Sequence, residues 1–292
     1  MNEFKIKEQI CEIGRRLYAK GFAAANDGNI TVRLNDKEIL CTPTMVSKGF
    51  MKPEDICKVD YQGNQLAGTR KRSSEVLLHL TAYKLNPEIN AVVHCHPPHA
   101  TAFAVAHEPI PKCILPEVEV FLGEVPIAKY ETPGNQDFAN TIAPYVKDCN
   151  TVLLANHGTV TFGPTLENAY FNTEIIDAYC RILILSRLLG RVNYFSEQKT
   201  RELLALKKRL GYDDVRFRDA ANPVCGLSSF DERYSDFVPE AFAFQAEWAP
   251  AVGPCSRYSE PSSNGQAESD LDELVRLVTD RVMEALTGAG AA

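Results

Sequence analysis

Three of the chain's six histidines, His94, His96 and His99, crowd into the stretch Ala91-Val92-Val93-His94-Cys95-His96-Pro97-Pro98-His99. The apolar, partly β-branched lead-in reads as the end of a buried strand. Side chains alternate along a strand, so His94 and His96 share one face while Cys95 points to the other. Pro97 and Pro98 cannot continue the ladder, which leaves the imidazole pair at a rim open to substrate. A second apolar run, Thr151-Val152-Leu153-Leu154-Ala155, ends in Asn156-His157-Gly158, with a glycine that permits a sharp turn. Two histidines from one strand and a third from another give the three-nitrogen set of a catalytic zinc, with a fourth position open. Neutral imidazoles suit Zn²⁺ and also accept Co²⁺ or Mn²⁺. The expected chemistry is Lewis-acid activation of a substrate oxygen.

The elements that must position these residues are legible from pattern. Ile6, Ile10, Ile13 and Leu17 predict a helix over residues 3–22, closed by Gly21. The turn Asn26-Asp27-Gly28-Asn29 precedes a predicted hairpin of strands 30–34 and 38–42. Ser73-Ser74-Glu75 opens a helix marked by Val76, Leu77, Leu80 and Tyr83, with Ser73 or Ser74 as expected N-cap and Glu75 as first-turn acid. A helix start is also an anion site. His79, one turn after Glu75, reads as a packed neighbour, His99 as a polar pocket residue and His107 as surface. Helices are further expected over 136–146, 166–189 (Thr165 as N-cap, apolar on nearly all sides) and 196–210, whose basic face reads as solvated.

The order Gly28-Asn29-Ile30-Thr31-Val32-Arg33, Thr42-Pro43-Thr44, Ser73-Ser74-Glu75, His94-Cys95-His96 and Asn156-His157-Gly158 resembles the class II aldolase/adducin family, and within it the fuculose-phosphate aldolases. The resemblance runs to about Leu210. It implies an α/β fold, a three-layer α/β/α domain around a central sheet, and a homotetramer with sites between subunits. It implies one Zn²⁺ per subunit on His94, His96 and His157, with Glu75 as catalytic acid/base. It assigns the substrate phosphate to Gly28, Asn29, Thr44, Ser73 and Ser74, and the substrate to ketose 1-phosphates such as L-fuculose- or L-rhamnulose-1-phosphate. Short hydroxyl and amide donors with backbone N–H groups can cradle a dianion in this way.

Two departures stand out. Met45 follows Thr44 where the family often carries glycine. Leu115 stands at the position, after Ile110-Pro111, of a family tyrosine that donates a proton; Glu117, Tyr130, Tyr212 or water are the replacements considered. Lys48 lies just beyond Met45 and reads either as a solvated loop residue, the favoured reading, or as added charge for the pocket.

A chain of 292 residues that is 45% hydrophobic can bury a full core. A formal charge of −7 argues against nucleic acid as a partner, and no run of 18 apolar residues marks a membrane span. The N-terminus lacks the apolar core of a signal peptide, and the nine cysteines contain no CxxC pair, so they read as thiols of a reducing cytoplasm.

Residues 1–211 are expected to form the catalytic domain and 212–268 an irregular extension and linker. A helix over 269–288 carries the apolar stripe Leu271, Leu274, Val275, Val278, Val282 and Leu286. Such a helix is marginal alone and must dock on a partner. It resembles the encapsulation peptides that bring enzymes to the shell proteins of bacterial microcompartments, which places the expected enzyme in a compartment lumen. The competing expectations are a sugar-phosphate 4-epimerase or dehydratase on the same metal site, and an adducin-like scaffold without catalysis.

Overall fold

The computed structural model describes residues 2–218 and 224–225. The expected targeting helix and nearly all of the extension before it lie outside the described residues.

Eight strands form one mixed sheet in the order β4-β3-β2-β1-β5-β8-β7-β6. They are β1 (Asn29–Arg33), β2 (Ile39–Cys41), β3 (Cys57–Val59), β4 (Gln65–Ala67), β5 (Ala91–Cys95), β6 (Ile127–Ala128), β7 (Thr151–Leu154) and β8 (Gly158–Gly163). All neighbours are antiparallel except β6 and β7. The expected hairpin forms, with Thr31 opposite Cys41. The fully buried β5 runs at the centre between β1 and β8.

Helices cover both faces, which gives the expected three-layer α/β/α architecture. They are α1 (Glu3–Ala19), α2 (Val76–Leu85), α3 (Pro98–Ala106), α4 (Gln136–Asn140), α5 (Leu166–Leu188) and α6 (Glu197–Arg209). Val92 packs with Leu78, Leu80 and Phe138 of α2 and α4 on one face. Ala91, Val93 and Cys95 pack with Ile10, Leu17 and Tyr170 of α1 and α5 on the other. This is the period-two alternation that puts His94 opposite Cys95.

Several local expectations are corrected. The helix expected over 136–146 stops at Asn140 and continues as turns, because Thr141 closes back on Phe138 through both its N–H and its hydroxyl. On α5, Leu185 and Leu188 are exposed, so that helix is not buried all round. The basic face of α6 is only partly solvated. Lys207 is buried and donates to Asp214 at 2.8 Å, while Arg216 reaches Asp214 and Glu119, both within 2.9 Å. Ion pairing offsets the cost of burying these charges. Cys113 and Cys225 form a disulfide, against the expectation of free thiols throughout. The two lie 112 residues apart, and no sequence spacing announces such a pair. Cys41, Cys57 and Cys95 are free and buried, as expected.

Candidate metal centre

His94 is the last ligand-bearing position of β5 and His96 follows the strand directly. Strand β8 pairs with β5 so that Thr159 faces Cys95, which brings His157, just before β8, to the same rim. The β7–β8 turn is tight. His157 N–H donates to Leu154 C=O at 3.0 Å, and Asn156 takes a left-handed conformation at φ +54°. Gly158 is required there, since a Cβ would stand 2.5 Å from His96 Cδ2 and 2.6 Å from the Cys95 carbonyl.

The three rings converge, with centroids 4.8–5.2 Å apart. One ligand atom from each of His94, His96 and His157 lies within 4.8 Å of the others. His94 Nδ1–H donates to Thr159 C=O at 2.8 Å, and since a carbonyl only accepts, the tautomer is fixed with the Nε2 lone pair free. The buried Nε2 atoms of His94 and His96 have no hydrogen-bond partner. Leaving such atoms unpaired costs about 1–3 kcal/mol each, a cost that ligation removes. Burial holds His94 well below its ordinary pKa, reinforced by His157 and His96. Burial, then His96, pushes His157 down to about 4. Both are therefore neutral near pH 7 and available as ligands. The donor set fits a divalent transition ion with an open position.

Glu75 completes the cluster. Its Oε2 lies 3.4 Å from His94 Nε2 and its Oε1 3.5 Å from His157 Nε2. Burial raises the Glu75 pKa, opposed chiefly by the Asn29 amide, whose Nδ2 donates to Oε2 at 2.7 Å. The capping expectation is corrected here. Helix α2 starts at Val76 with Glu75 itself as N-cap residue, making no side-chain cap bond, and Ser73 Oγ accepts from Glu75 N–H at 3.3 Å. The carboxylate is thus free of capping duty and turned to the histidines.

The residues of the expected phosphate cradle come together around Glu75. Segment 42–44 pairs with 71–73, Thr44 N–H donating to Lys71 C=O and Ser73 N–H to Thr42 C=O. Asn29 faces His94 across the ladder, and Gly28 (φ +74°) packs where a Cβ would meet the His94 carbonyl at 2.9 Å. Ser73 is buried and Ser74 exposed. Met45 adopts φ +57°, the left-handed backbone that favours glycine.

Three further neighbours border the site. Asp27 Oδ2 lies 3.3 Å from His96 Nδ1, Phe138 of α4 stacks on His157 at 5.3 Å, and Lys48 is buried, not solvated as favoured from sequence. Asp27 sits in the singled-out turn and Lys48 carries the alternative reading of pocket charge; nothing in the sequence marks Phe138. His79 is a core residue whose Nδ1 bonds Thr31 Oγ1 at 2.8 Å. His99 is tied to Asp177 of α5 at 2.9 Å, and His107 Nε2 bonds Asn156 Oδ1 at 2.6 Å. Of the considered stand-ins for the tyrosine, Glu117 and Tyr130 are exposed and Tyr212 stacks edge-on against Phe121.

Comparison with known proteins identifies the family. Residues 8–184 match the family described as the class II aldolase and adducin N-terminal domain. A 3-oxo-tetronate 4-phosphate decarboxylase of Haemophilus influenzae is 31% identical over 70% of this chain and 98% of its own length. An L-fuculose phosphate aldolase of Methanococcus maripaludis is 32% identical over 62% of this chain and 96% of its own. The solved structure of an L-fuculose 1-phosphate aldolase superposes with a TM-score of 0.65 at 26% identity, covering 71% of this chain and 97% of that one. No described helix is long and apolar enough to cross a membrane. With the family matched over more than half its length, the chain belongs to the class II aldolases, as a metal-dependent lyase.

Proposed function

We propose that this chain is a zinc-dependent aldolase that cleaves L-fuculose- or L-rhamnulose-1-phosphate to dihydroxyacetone phosphate and lactaldehyde. The observation that carries the reading is the three-histidine cluster with the Glu75 carboxylate within 3.5 Å of two of its members. His94, His96 and His157 would hold a Zn²⁺, which when bound would supply Lewis acidity to the ketone oxygen beside the bond that breaks. Glu75 would return a proton to the carbon that loses its C–C bond, and take one from it in the reverse direction, a role supported by its carboxylate lying beside His94 and His157. Asn29 orients Glu75 through its Nδ2–H. Gly28, Asn29, Thr44, Ser73 and Ser74 hold the phosphate, together with the start of α2. One subunit of a homotetramer contributes each such set.

A second reading has its own support. Leu115 occupies the place of the tyrosine that serves the leaving hydroxyl, and a relative of similar identity is a decarboxylase. Loss of CO₂ from a 3-oxo acid breaks a C–C bond beside the same ketone and reprotonates the same carbon, with no hydroxyl proton to remove. Both reactions yield dihydroxyacetone phosphate, so the co-product decides. Metal-loaded protein incubated with fuculose-1-phosphate, rhamnulose-1-phosphate and 3-oxo-tetronate 4-phosphate is expected to release lactaldehyde from one of the first two. Release of CO₂ alone moves the assignment to the decarboxylase. Dihydroxyacetone phosphate from none of the three sinks both readings.

The apolar stripe from Leu271 to Leu286 supports packaging in a microcompartment through a shell protein. Deleting Leu271–Ala292 is expected to leave turnover unchanged and abolish co-purification with shells. An inactive or unfolded deletion variant would mean that the segment belongs to the enzyme body.

A further inference from the structure

Lys48 opens the short helical turn Lys48–Phe50, and its side chain is 1% exposed. Its Nζ donates to the Asn26 carbonyl at 2.9 Å and to the Val46 carbonyl at 2.7 Å. These carbonyls belong to the two loops that carry the cradle. One leads into Gly28 and Asn29, and the other leaves Thr44 through Met45, whose left-handed backbone costs about 1 kcal/mol or more unless its surroundings enforce it. Fixing the next carbonyl supplies that enforcement. The ammonium also answers an electrostatic problem. Asp27 Oδ2 lies 3.3 Å from His96 Nδ1 and Glu75 Oε2 3.4 Å from His94 Nε2, so two carboxylates border the same pocket. A phosphate dianion entering beside them needs a fixed positive charge.

We propose that Lys48 is a positioning residue that clamps the 26–29 and 44–46 loops together and supplies the buried charge that allows this cradle to take a phosphate dianion. The inference rests on the phosphate cradle given under Proposed function. Lys48 touches no substrate. It acts through the loop carbonyls and through its field, which is weakly screened because the group is buried. Burial is the main influence on its pKa, lowering it to about 8, so the charge is present at neutral pH.

The test uses full-length, metal-loaded K48M and K48R, titrated with inorganic phosphate and with sulfate by calorimetry. K48M is expected to bind both anions about tenfold more weakly than wild type and to raise KM for the phosphorylated substrate more than it lowers kcat, with unchanged metal content. K48R, which keeps the charge, is expected to recover most of the affinity. Equal anion affinity in K48M and wild type overturns the proposal, as does failure of K48R to rescue. A wild type that binds neither anion overturns the cradle itself, whereas anion binding indifferent to Lys48 overturns only this inference. Should K48M fail to fold, wild type alone suffices. Sulfate stays a dianion, so its affinity is expected to fall as pH rises from 7 to 9 and Lys48 loses its proton. The groups that raise the Lys48 pKa are Asp27, Cys41 and Glu75, and burial pushes the Cys41 thiol up to about 12, outside this window. A flat sulfate profile overturns the proposal.

Discussion

His94→Ala is expected to strip the protein of its metal and lower kcat/KM by on the order of a thousand-fold. The magnitude follows from losing several kcal/mol of charge stabilisation at the ketone oxygen, with each 1.36 kcal/mol about tenfold in rate. His94 is the right residue to remove because it is the most constrained of the three. It is wholly buried, its Nδ1–H is committed to the Thr159 carbonyl, and its Nε2 makes no hydrogen bond. The loss of one buried hydrogen bond and some packing costs about 1–3 kcal/mol of stability, so the variant should remain folded and metal-poor. Metal analysis and a melting curve on one preparation check this. Stoichiometric metal in folded His94→Ala would place the ion elsewhere.

The same site makes a prediction about pH within that experiment. An imidazole in the unfolded chain takes its proton near pH 6.5, whereas burial pushes His157 in the fold down to about 4 and holds His94 well below its ordinary value. Protons therefore compete little for His157 at pH 6, and that ligand should stay available to metal until the pH falls toward 4. The metal-free protein pays for this, since its folded-state pKa values are depressed. Between pH 6.5 and 4 the unfolded state binds more protons, and stability falls as the solution is acidified.

How much of this was legible depended on the range over which the information acts. The period-two pattern of Val92 to His96 and the strand-to-turn signal at His157 are local, and the ligand set follows from them. The same alternation gave β5 its buried place. Residues placed by distant packing were not legible. Phe138 reaches His157 because α4 lies on α2, and the sequence near Phe138 carries no sign of a metal. Lys48 looked like an exposed loop residue because its two carbonyl partners, at Asn26 and Val46, come from backbone, which sequence pattern does not display. The capping error at Ser73-Ser74-Glu75 has a similar cause. Capping statistics favour a serine at N-cap, but the Asn29 amide pulls Glu75 toward the histidines, and Ser73 turns to serve the Glu75 N–H. Met45 shows the reverse case. A departure visible in the sequence coincides with a strained backbone, φ +57°, where glycine would sit without cost.

Glu75→Gln is expected to lower kcat by about a hundred- to ten-thousand-fold while the metal stays bound. Glutamine keeps the length of the side chain, and its carbonyl oxygen can still accept from Asn29 Nδ2, so the position of the group and the three-histidine set should both survive. What is lost is the lone pair that carries the proton. The burial that raises the Glu75 pKa also makes it a stronger base than an exposed carboxylate, so its removal cannot be made good by bulk water at the same rate. The prediction separates two roles that the geometry leaves superposed, because 3.4 and 3.5 Å contacts to His94 and His157 would also suit a fourth metal ligand. A ligand role predicts that Glu75→Gln loses metal and activity together. A proton-carrying role predicts full metal content, a KM close to wild type, and a pH–rate profile without the acid limb of the wild-type enzyme. Retention of more than about a tenth of wild-type kcat would assign the proton to another group.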